Sequence, residues 1–331
     1  MNFPFNVYLL ALVGAFLASL GTLPLWRLVC RRIGLVDDPG HRKIHETPIP
    51  LAGGFSVLTG IVAPLSAGAI LIHWWRLSSQ ATEGLLSYGL NHRALELLAI
   101  VLGAIGVVLL GWLDDKYELR PMIKFTGQLL IALTVASANV RITLFVHNQL
   151  FSYAVTILWI LTVINAFNFV DNMNGLCAGL GAISAWYFAL VAAVDGQYLV
   201  TLLALLACGA LLGFLPYNFP RASAFLGDTG SHLVGYLLAV IAILPHFYTP
   251  QHRHPWAVLI PLFILAVPLG DLVWVVILRW RLGQPFYIGD NNHLSHRLVR
   301  GGLTRTKTVL LIWLMANLLG AFALVLILTS S

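Results

Sequence analysis

Charged residues are scarce in this sequence: Asp, Glu, Lys and Arg make up only 10% of its 331 residues. A soluble domain contains about 25%. Hydrophobic residues make up 59%, and the mean hydropathy is +0.86. So little charge excludes an ordinary soluble domain and indicates an integral membrane protein.

Cysteine is also rare, and the three cysteines show neither a pairing pattern nor a metal-ligand spacing. Cys177 and Cys208 lie in apolar runs, and Cys30 lies among arginines. The first apolar run has neither a basic segment before it nor a small-residue cleavage site before Arg27. We therefore expect a retained helix there rather than a signal peptide.

Long apolar runs recur between short polar breaks, and helices are the only spanning structure that fits them. They predict an all-α, polytopic membrane bundle of about ten transmembrane helices, in one integral membrane domain over residues 1–331. The expected spans are 5–26, 51–73, 94–112, 121–138, 151–168, 175–194, 198–216, 230–246, 256–278 and 308–328.

The charges of the connecting segments predict the orientation of the bundle. One side receives 27–50, 113–120, 169–174, 217–229 and 279–307. Of the 19 Lys and Arg residues, all but Arg76, Arg93, Arg141 and Arg253 lie in or beside these segments. By the positive-inside rule this side is cytoplasmic, with both termini outside the cytoplasm. We expect a multi-pass protein of the inner (plasma) membrane with its active site on the cytoplasmic face.

Most of the acidic residues fall on the same side, namely Asp37, Asp38, Glu46, Asp114, Asp115, Glu118, Asp171, Asp228 and Asp290. A face rich in both carboxylates and bases suits an anionic, metal-bound substrate. Ordinary juxtamembrane charge is the alternative for any single loop.

The first loop ends in GHRKIHETPIPLAGG. Its basic run includes His45, and Gly53 and Gly54 lie at the start of the second span. Two glycines at a helix start allow a close backbone approach and leave amide groups free for a phosphate. Contact with lipid headgroups is the alternative.

In the second loop, GWLDDKYELRPMIKFTGQ, an apolar run ends in Asp114 and Asp115, and Lys124 follows. Adjacent side chains on a helix point about 100° apart. One of the two carboxylates can therefore hold a partner while the other faces solvent or a ligand. The alternative is a hydrated, charged turn between two membrane helices.

The third loop, NAFNFVDNMNGL, places Asn165, Asn168 and Asp171 at intervals of three. They share an arc of about 120° on one helix face, and Asn174 follows. Such a stripe suits a nucleotide base, a sugar or a metal. Capping of the helix, or hydrogen bonds to a neighbouring helix, is the alternative.

The fourth loop, FLGDTGS, holds Asp228 between glycines just before the eighth span. On such a tight turn the carboxylate is either an N-cap of the helix or a metal ligand. Hard cations such as Mg²⁺ take one or two carboxylates together with substrate phosphate oxygens.

The fifth loop contains HLSHRLVRGGL. His293 and His296 are at i, i+3, Arg297 is adjacent, and Arg300 follows His296 by one turn. Because no third ligand or acidic residue completes a zinc site, the cluster is predicted to bind phosphate. Asp271, inside the ninth span, is a functional candidate because intramembrane carboxylates are costly.

Five segments together resemble the motifs of the polyprenyl-phosphate N-acetylhexosamine-1-phosphate transferase family: IPLAGG after a basic run, the DD turn with KFTGQ, NAFNFVDNMNGL, FLGDTGS and HLSHRLVRGGL. The family includes the phospho-N-acetylmuramoyl-pentapeptide translocases. This chain is more similar to the branch that uses UDP-N-acetylhexosamines, because HLSHR replaces the three histidines of the translocases. Asn174 departs from the pattern, since most bacterial relatives carry Asp there.

The resemblance implies transfer of a sugar 1-phosphate from a UDP-N-acetylhexosamine to polyprenyl (undecaprenyl) phosphate, giving a polyprenyl diphosphate sugar and UMP. It implies Mg²⁺ as the cofactor, with Mn²⁺ as a substitute. A membrane setting, no nucleic-acid partner and a homodimer are further expectations. Direct displacement and a covalent Asp intermediate both remain open mechanisms.

Matching the motifs gives each candidate residue a role. Asp228 matches the metal-binding aspartate of the family, and Asp114 and Asp115 match its paired catalytic aspartates. The expected substrate-binding residues are His45, Lys124, Asn168, Asp171, Asn174, His293, His296 and Arg297.

Three alternatives remain at this point. The nearest is a phospho-N-acetylmuramoyl-pentapeptide transferase of peptidoglycan synthesis. A secondary transporter would require inverted repeats and ionisable residues near the midplane, but the sequence has no convincing repeat, and Asp271 is the one acidic residue well inside a span. A scaffolding membrane protein would leave the clustering of motifs on one side unexplained.

Overall fold

The computed structural model describes residues 4–39, 47–78, 94–143, 146, 148–245, 258–285 and 292–329. In chain order its helices are α1 (Phe5–Arg32), α2 (Gly53–Ser78), α3 (Ala94–Tyr117), α4 (Pro121–Ser137), α5 (Gln149–Val170), α6 (Leu176–Val194), α7 (Tyr198–Phe214), α8 (Gly227–Ile243), α9 (Ile260–Ile264), α10 (Ala266–Arg281), α11 (Leu294–Arg300) and α12 (Arg305–Leu328). A 3-10 turn, Leu215–Tyr217, extends α7. Two short strands, β1 (Val36–Asp37) and β2 (Ile49–Pro50), pair antiparallel, with Val36 opposite Pro50.

Seven of these helices are long and apolar enough to cross a membrane: α1, α2, α3, α5, α6, α7 and α12. Helices α4 and α8 are apolar but shorter, at 17 residues each. The protein is therefore a polytopic helical membrane protein, as its apolar runs predict. The count of ten spans and the location of the termini stay predictions.

The ninth expected span, 256–278, differs from the structure. Its described part forms two helices, because α9 ends at Ile264 and α10 begins at Ala266. Pro268 has no N–H to donate to the carbonyl of Ile264, four residues earlier, so the helix is interrupted at Leu265. A hydropathy pattern does not register such a break.

Helices pack closely where glycine leaves room for a neighbouring backbone. A Cβ added at Gly209 on α7 would collide with the carbonyl oxygen of Leu12 on α1, and one at Gly213 would collide with that of Phe16. Lipid tails are as apolar as leucine, so close van der Waals packing of this kind holds membrane helices together. Among the described residues, the α1–α7 interface is accordingly the most extensive.

Helix α8 lies in the middle of the bundle, where it packs against α2, α3, α5, α6 and α7. Tyr236 on α8 is fully buried, and its hydroxyl donates to Ile100 O on α3 at 2.9 Å. From α5, Trp159 Nε1 donates to Ala239 O at 3.1 Å. These contacts fix α8 beside α3 and α5, whose ends carry the polar motifs.

Candidate active site

The polar motifs line one cavity of about 1040 Å³. The C-terminal ends of α3 and α5 and the N-terminal ends of α8 and α12 open onto it, together with α11. The predicted site residues in its lining are Asp114, Asp115, Asn168, Asp171, Asn174, Asp228 and His296. The structure therefore brings residues from four separate motifs to one place.

Asp115 holds the turn that carries Asp228. Its Oδ1 accepts a hydrogen bond from Asp228 N at 2.8 Å, and its Oδ2 accepts from Thr229 N at 2.9 Å and Thr229 Oγ1 at 2.6 Å. The first amides of a helix have no partner within it, so a carboxylate from α3 caps α8. One turn earlier on α3, a Cβ at Gly111 would lie 2.5 Å from Asp228 O. Asp228 itself is not the N-cap, which is Leu226.

The glycines of the IPLAGG segment contact the same turn. Gly53 N donates to Phe225 O at 2.9 Å, and Gly54 N donates to Leu226 O at 3.2 Å. A Cβ at Gly54 would lie 2.6 Å from Gly230 N. The expected close backbone approach is therefore confirmed. The prediction that these amides are free for a phosphate is wrong, because carbonyl groups of the turn accept from them.

Lys124 joins two carboxylates of the cavity. Its Nζ lies 2.5 Å from Asp114 Oδ2 and 2.8 Å from Asp228 Oδ2. Asp114 is buried, and its Oδ1 accepts from Leu119 N at 2.9 Å. Asp114 and Asp115 thus both hold protein partners, whereas the helical spacing predicts a partner for only one of them. Both still line the cavity.

Asp228 presents its carboxylate between three helices. Its Oδ2 accepts from Lys124 on α4, and its Oδ1 accepts from Asn168 Nδ2 on α5 at 2.6 Å. Asn168 Nδ2 also donates to Ser231 Oγ at 3.0 Å. The described residues contain no group of three His, Cys, Asp or Glu side chains placed to hold a metal ion. A metal at Asp228 would therefore need ligands from water or substrate.

Asp171 differs from Asp114, Asp115 and Asp228, whose carboxylates all have protein partners. It follows α5 directly, and within the described ranges its carboxylate accepts no hydrogen bond. Burial is the largest cause that raises the pKa of Asp171 well above its ordinary value, and the negative charges of Asp228 and Asp115 act in the same direction. A cation beside Asp171 would relieve this cost.

Basic side chains line the cavity as well: Arg221 before α8, His296 and Arg300 on α11, and Arg305 at the start of α12. Burial is the largest cause that lowers the pKa of His296, and the positive charges of nearby His293, Arg305 and Arg300 act in the same direction. The sequence did not assign Arg221 or Arg305 to the site, and it placed Arg300 beside the predicted phosphate-binding cluster but not among the substrate-binding residues. The spacing of four residues between His296 and Arg300, which puts both on one helix face, is the signal that finds Arg300.

His293 and Arg297 are absent from the cavity lining, although both are predicted substrate contacts. His293 is buried, and its Nδ1 donates to Asp271 Oδ2 at 2.7 Å. Arg297 Cζ lies 4.5 Å from the ring centroid of Trp274 on α10. Adjacent residues on a helix point about 100° apart, so Arg297 cannot share the face of His296.

The three remaining predicted residues lie at different places relative to the cavity. Lys124 lies behind the lining, where it contacts Asp114 and Asp228. Asn174 lines the cavity, and its Nδ2 donates to Pro220 O at 3.3 Å. His45 lies outside the described residues, so its place in the site stays a prediction.

A second polar layer lies one helical turn from the charged residues. Asn165 Nδ2 donates to Gln128 Oε1 at 2.8 Å, and Gln128 Nε2 lies 3.5 Å from His232 Nε2. Gln128 and His232 are buried. Asn165 therefore supports the neighbouring helices rather than the cavity, although it belongs to the predicted stripe with Asn168.

These observations define a class of protein: a multi-pass membrane protein whose helix ends enclose a cavity of carboxylates and basic residues. Residues 97–246 match the model of the family described as Glycosyl transferase family 4. The segment begins in α3 and continues beyond α8, so it contains the DD turn, the asparagine stripe and Asp228.

Individual relatives extend the match over almost the whole chain. The chain is 32% identical over 330 residues to the probable undecaprenyl-phosphate N-acetylglucosaminyl 1-phosphate transferase of Bacillus subtilis (strain 168), covering 96% of this chain and 86% of the relative. It is 31% identical over 333 residues to the undecaprenyl-phosphate alpha-N-acetylglucosaminyl 1-phosphate transferase of Escherichia coli (strain K12), covering 94% and 81%. The decaprenyl-phosphate N-acetylglucosaminephosphotransferase of Mycobacterium tuberculosis (strain ATCC 25618 / H37Rv) is 32% identical over 334 residues, covering 92% and 79%. The chain belongs to glycosyl transferase family 4, which confirms the resemblance of its motifs.

Proposed function

We propose that this protein transfers an N-acetylhexosamine 1-phosphate, in the first place N-acetylglucosamine 1-phosphate, from a UDP-sugar to polyprenyl (undecaprenyl) phosphate. The products are a polyprenyl diphosphate sugar and UMP. The names of the three relatives support this reaction, since each combines a polyprenyl phosphate with transfer of N-acetylglucosamine phosphate.

The observation that carries the proposal is the mixed charge of a cavity at the ends of membrane helices. Six carboxylates and four basic side chains line it, and the basic ones are Arg221, His296, Arg300 and Arg305. A lipid phosphate can place its hydrocarbon chain in the bilayer and its charged end in such a cavity. A UDP-sugar needs cationic groups for its diphosphate and polar groups for its base, and the same cavity has both.

In the proposed step, an oxygen of the lipid phosphate attacks the β-phosphorus of the UDP-sugar, the phosphorus that bears the sugar. A new P–O bond links the lipid phosphate to the β-phosphorus. The bond between the β-phosphorus and the oxygen that bridges it to the α-phosphorus breaks. The bridging oxygen leaves with UMP. Because Asp114 and Asp115 both accept hydrogen bonds from the protein, we favour this direct displacement over a covalent aspartyl intermediate.

The residues of the cavity take different roles in this step. Asp114 acts on the acceptor phosphate, and Lys124 holds the carboxylate of Asp114 in place. Asp115 acts through the turn that it caps, so it is a positioning residue for Asp228. Asp171 and Asn174 serve the nucleotide side of the donor.

The donor set fits Mg²⁺, with Mn²⁺ as a substitute. Asp228 would hold the ion, and Asp171 adds a nearby carboxylate without a protein donor among the described residues. Mg²⁺ usually binds through one or two carboxylates, with water and substrate phosphate as the other ligands. When bound, it supplies positive charge that offsets the repulsion between the two phosphates and improves UMP as a leaving group.

The proposed setting is the inner (plasma) membrane, with ten spans, both termini outside and the cavity on the cytoplasmic face. The asymmetric distribution of Lys and Arg supports this orientation. A single membrane domain over residues 1–331 and a homodimer complete the proposal.

The test uses membranes that contain the protein, undecaprenyl phosphate, Mg²⁺ and a panel of UDP-sugars, with the lipid product identified by mass. UDP-N-acetylglucosamine should give equimolar UMP and undecaprenyl diphosphate N-acetylglucosamine. Asp228→Asn, confirmed to insert in the membrane, should give no product. Release of UMP without a lipid product, or a product only from UDP-N-acetylmuramoyl-pentapeptide, would overturn the proposal.

A further inference from the structure

Asp271 on α10 connects its helix to the start of α11. The side chain is buried, with 5% of its surface exposed. Its Oδ2 accepts from His293 Nδ1 at 2.7 Å, and its Oδ1 accepts from Leu294 N at 2.6 Å. Leu294 is the first residue of α11, so its amide has no partner within the helix. One carboxylate therefore caps α11 and fixes the ring of His293 at the same time.

The beginning of α11 is also held by the end of α5 and the turn that follows it. Ser295 Oγ donates to Asn172 Oδ1 at 2.7 Å. The ring of His293 packs edge-on against Phe169, with centroids 5.7 Å apart. A helix of seven residues is not stable alone. The direction in which α11 presents His296 therefore depends on these contacts at residues 293–295.

We propose that Asp271 is a positioning residue for donor binding. Through His293 and Leu294 it sets the rotation of α11, so that His296 and Arg300 face the cavity. Asp271 and His293 do not line the cavity themselves, and their effect on the substrate is indirect. The identity of the ligand, a nucleoside diphosphate sugar, rests on the proposed function. The two hydrogen bonds of Asp271 to His293 and Leu294, called the α11 clamp below, do not depend on it.

The clamp is tested first without catalysis, by hydrogen exchange on the purified full-length protein. Asp271→Asn keeps the shape of the side chain but has one acceptor oxygen instead of two, so one of the two hydrogen bonds is lost. Amides of residues 293–300 should exchange roughly tenfold faster or more, and those of 305–328 should not change. Glu96→Gln, the same acid-to-amide change in the first turn of α3 and outside the cavity lining, is the matched control. Unchanged exchange over 293–300 in Asp271→Asn would overturn the proposal.

A pair of substitutions at His293 gives a second test if Asp271→Asn does not accumulate. His293→Leu removes the donor to Asp271, whereas the amide nitrogen of His293→Asn can take the place of Nδ1. His293→Leu should raise the donor KM by roughly tenfold to 100-fold, because it removes a charge-assisted hydrogen bond. His293→Asn should stay close to the natural protein. Equal effects of the two variants would overturn the role of this hydrogen bond.

The kinetic test of Asp271→Asn separates positioning from general destabilisation. The KM for the UDP-sugar should rise by roughly tenfold to 100-fold, while the KM for polyprenyl phosphate and the activity of Glu96→Gln stay unchanged. The double variant Asp271→Asn/His293→Leu should be no worse than its worse single variant, because both changes break the same contact. A similar rise in both KM values, or multiplicative effects in the double variant, would contradict the proposal.

The two proposals fail in distinguishable ways. If the natural protein makes no lipid product, the proposed function fails, and hydrogen exchange still decides whether Asp271 clamps α11. If the natural protein is active but Asp271→Asn keeps a normal donor KM, the positioning role alone fails.

Discussion

Lys124 Nζ and Asp228 Oδ2 lie 2.8 Å apart, although 104 residues separate them in the sequence. The same ammonium group contacts Asp114. One cation therefore offsets two of the six carboxylates in the cavity. Because the proposed metal ligand is shared with a lysine, the position of Asp228 is set by the protein before a metal binds.

The first prediction concerns this lysine. Lys124→Met keeps a long side chain but removes the charge, so Asp114 and Asp228 are left facing each other. Loss of one partner of a largely buried ion pair costs about 3–5 kcal/mol, so both the thermal stability in detergent and the transfer rate should fall sharply. Lys124→Arg should retain more stability than Lys124→Met. Normal rate and stability in Lys124→Met would show that the site does not need this charge.

The second prediction separates the paired aspartates. Asp115→Asn should lose about 1–3 kcal/mol of stability, because an amide has one acceptor oxygen where the carboxyl group has two, and one amide of the first turn of α8 is left unpaired. It should lose activity as a result. Asp114→Asn should be closer to the natural stability, because Lys124 keeps Asp228 as its ionic partner and the amide oxygen can still accept from Leu119 N. It should still bind the UDP-sugar and fail in transfer. Thermal unfolding and donor binding are measured for both variants. Full activity in both variants would support the alternative that this segment is only a charged turn between two membrane helices.

The third prediction concerns α11. His296→Ala and Arg300→Ala should each raise the donor KM or lower kcat, because a charge-assisted phosphate contact contributes roughly 1.5–3 kcal/mol. Arg297→Ala should have a smaller effect, since Arg297 stacks on Trp274 instead. Added zinc should rescue none of the three. A large defect in Arg297→Ala beside a normal Arg300→Ala would restore the role that the family motif gives to Arg297.

The fourth prediction is that Asp171→Asn makes the protein more stable but nearly inactive. The folded-state pKa of Asp171 is raised above its ordinary value of 3.8. In the window above 3.8, the folded protein therefore binds more protons at this group than the unfolded protein, and stability falls as pH rises. In metal-free buffer Asp171→Asn should be more heat-stable than the natural protein at about pH 8, with a smaller difference at about pH 5, and nearly inactive.

The control for Asp171 is Asn174, the residue that departs from the family pattern. Asn174→Asp should retain substantial activity, because Asn and Asp have nearly the same shape and position 174 contributes polarity rather than charge. Mg²⁺ should stabilise the natural protein more than Asp171→Asn. If Asn174→Asp raised activity by several orders of magnitude, the natural chain would be a weakened relative, and the proposed function would have to be withdrawn.

The fifth prediction concerns orientation. Single cysteines placed beside Lys116 and Arg300, in a background without Cys30, Cys177 and Cys208, should react with a membrane-impermeant reagent only from the cytoplasmic side. Both positions adjoin the cavity, so the two cysteines should be labelled from the same side of the membrane. Labelling of either one from outside would refute the orientation and the cytoplasmic location of the site together.

The convergence of the motifs could be predicted from the sequence because it follows from local signals. Hydropathy places the spans, and alternation of sides then brings the ends that carry Asp114, Asn168, Asp228 and His296 to one face. The helical period also groups Asn168 with Asp171, and both line the cavity. Each of these inferences needs only the neighbouring residues in the chain.

The remaining features depend on contacts between distant segments. The amides of Gly53 and Gly54 look free in the sequence, but their acceptors are the carbonyls of Phe225 and Leu226. Likewise, only the packing of α11 against α10 shows that Arg297 meets Trp274 while Arg300 lines the cavity. The break at Leu265 went unpredicted because a proline alone does not decide it: Pro24 and Pro64 lie inside the unbroken helices α1 and α2.

The contact of Gly111 with the first turn of α8 leaves no space for a side chain between the two helices. Asp114 and Asp115, one turn further along α3, are therefore fixed relative to Asp228 by the backbones themselves. The acidic part of the cavity is preorganised, so substrate binding carries no entropic cost for ordering these helix ends. A residue as small as alanine at position 111 would push α3 away from α8, and the acceptor and metal positions would lose their alignment in one step.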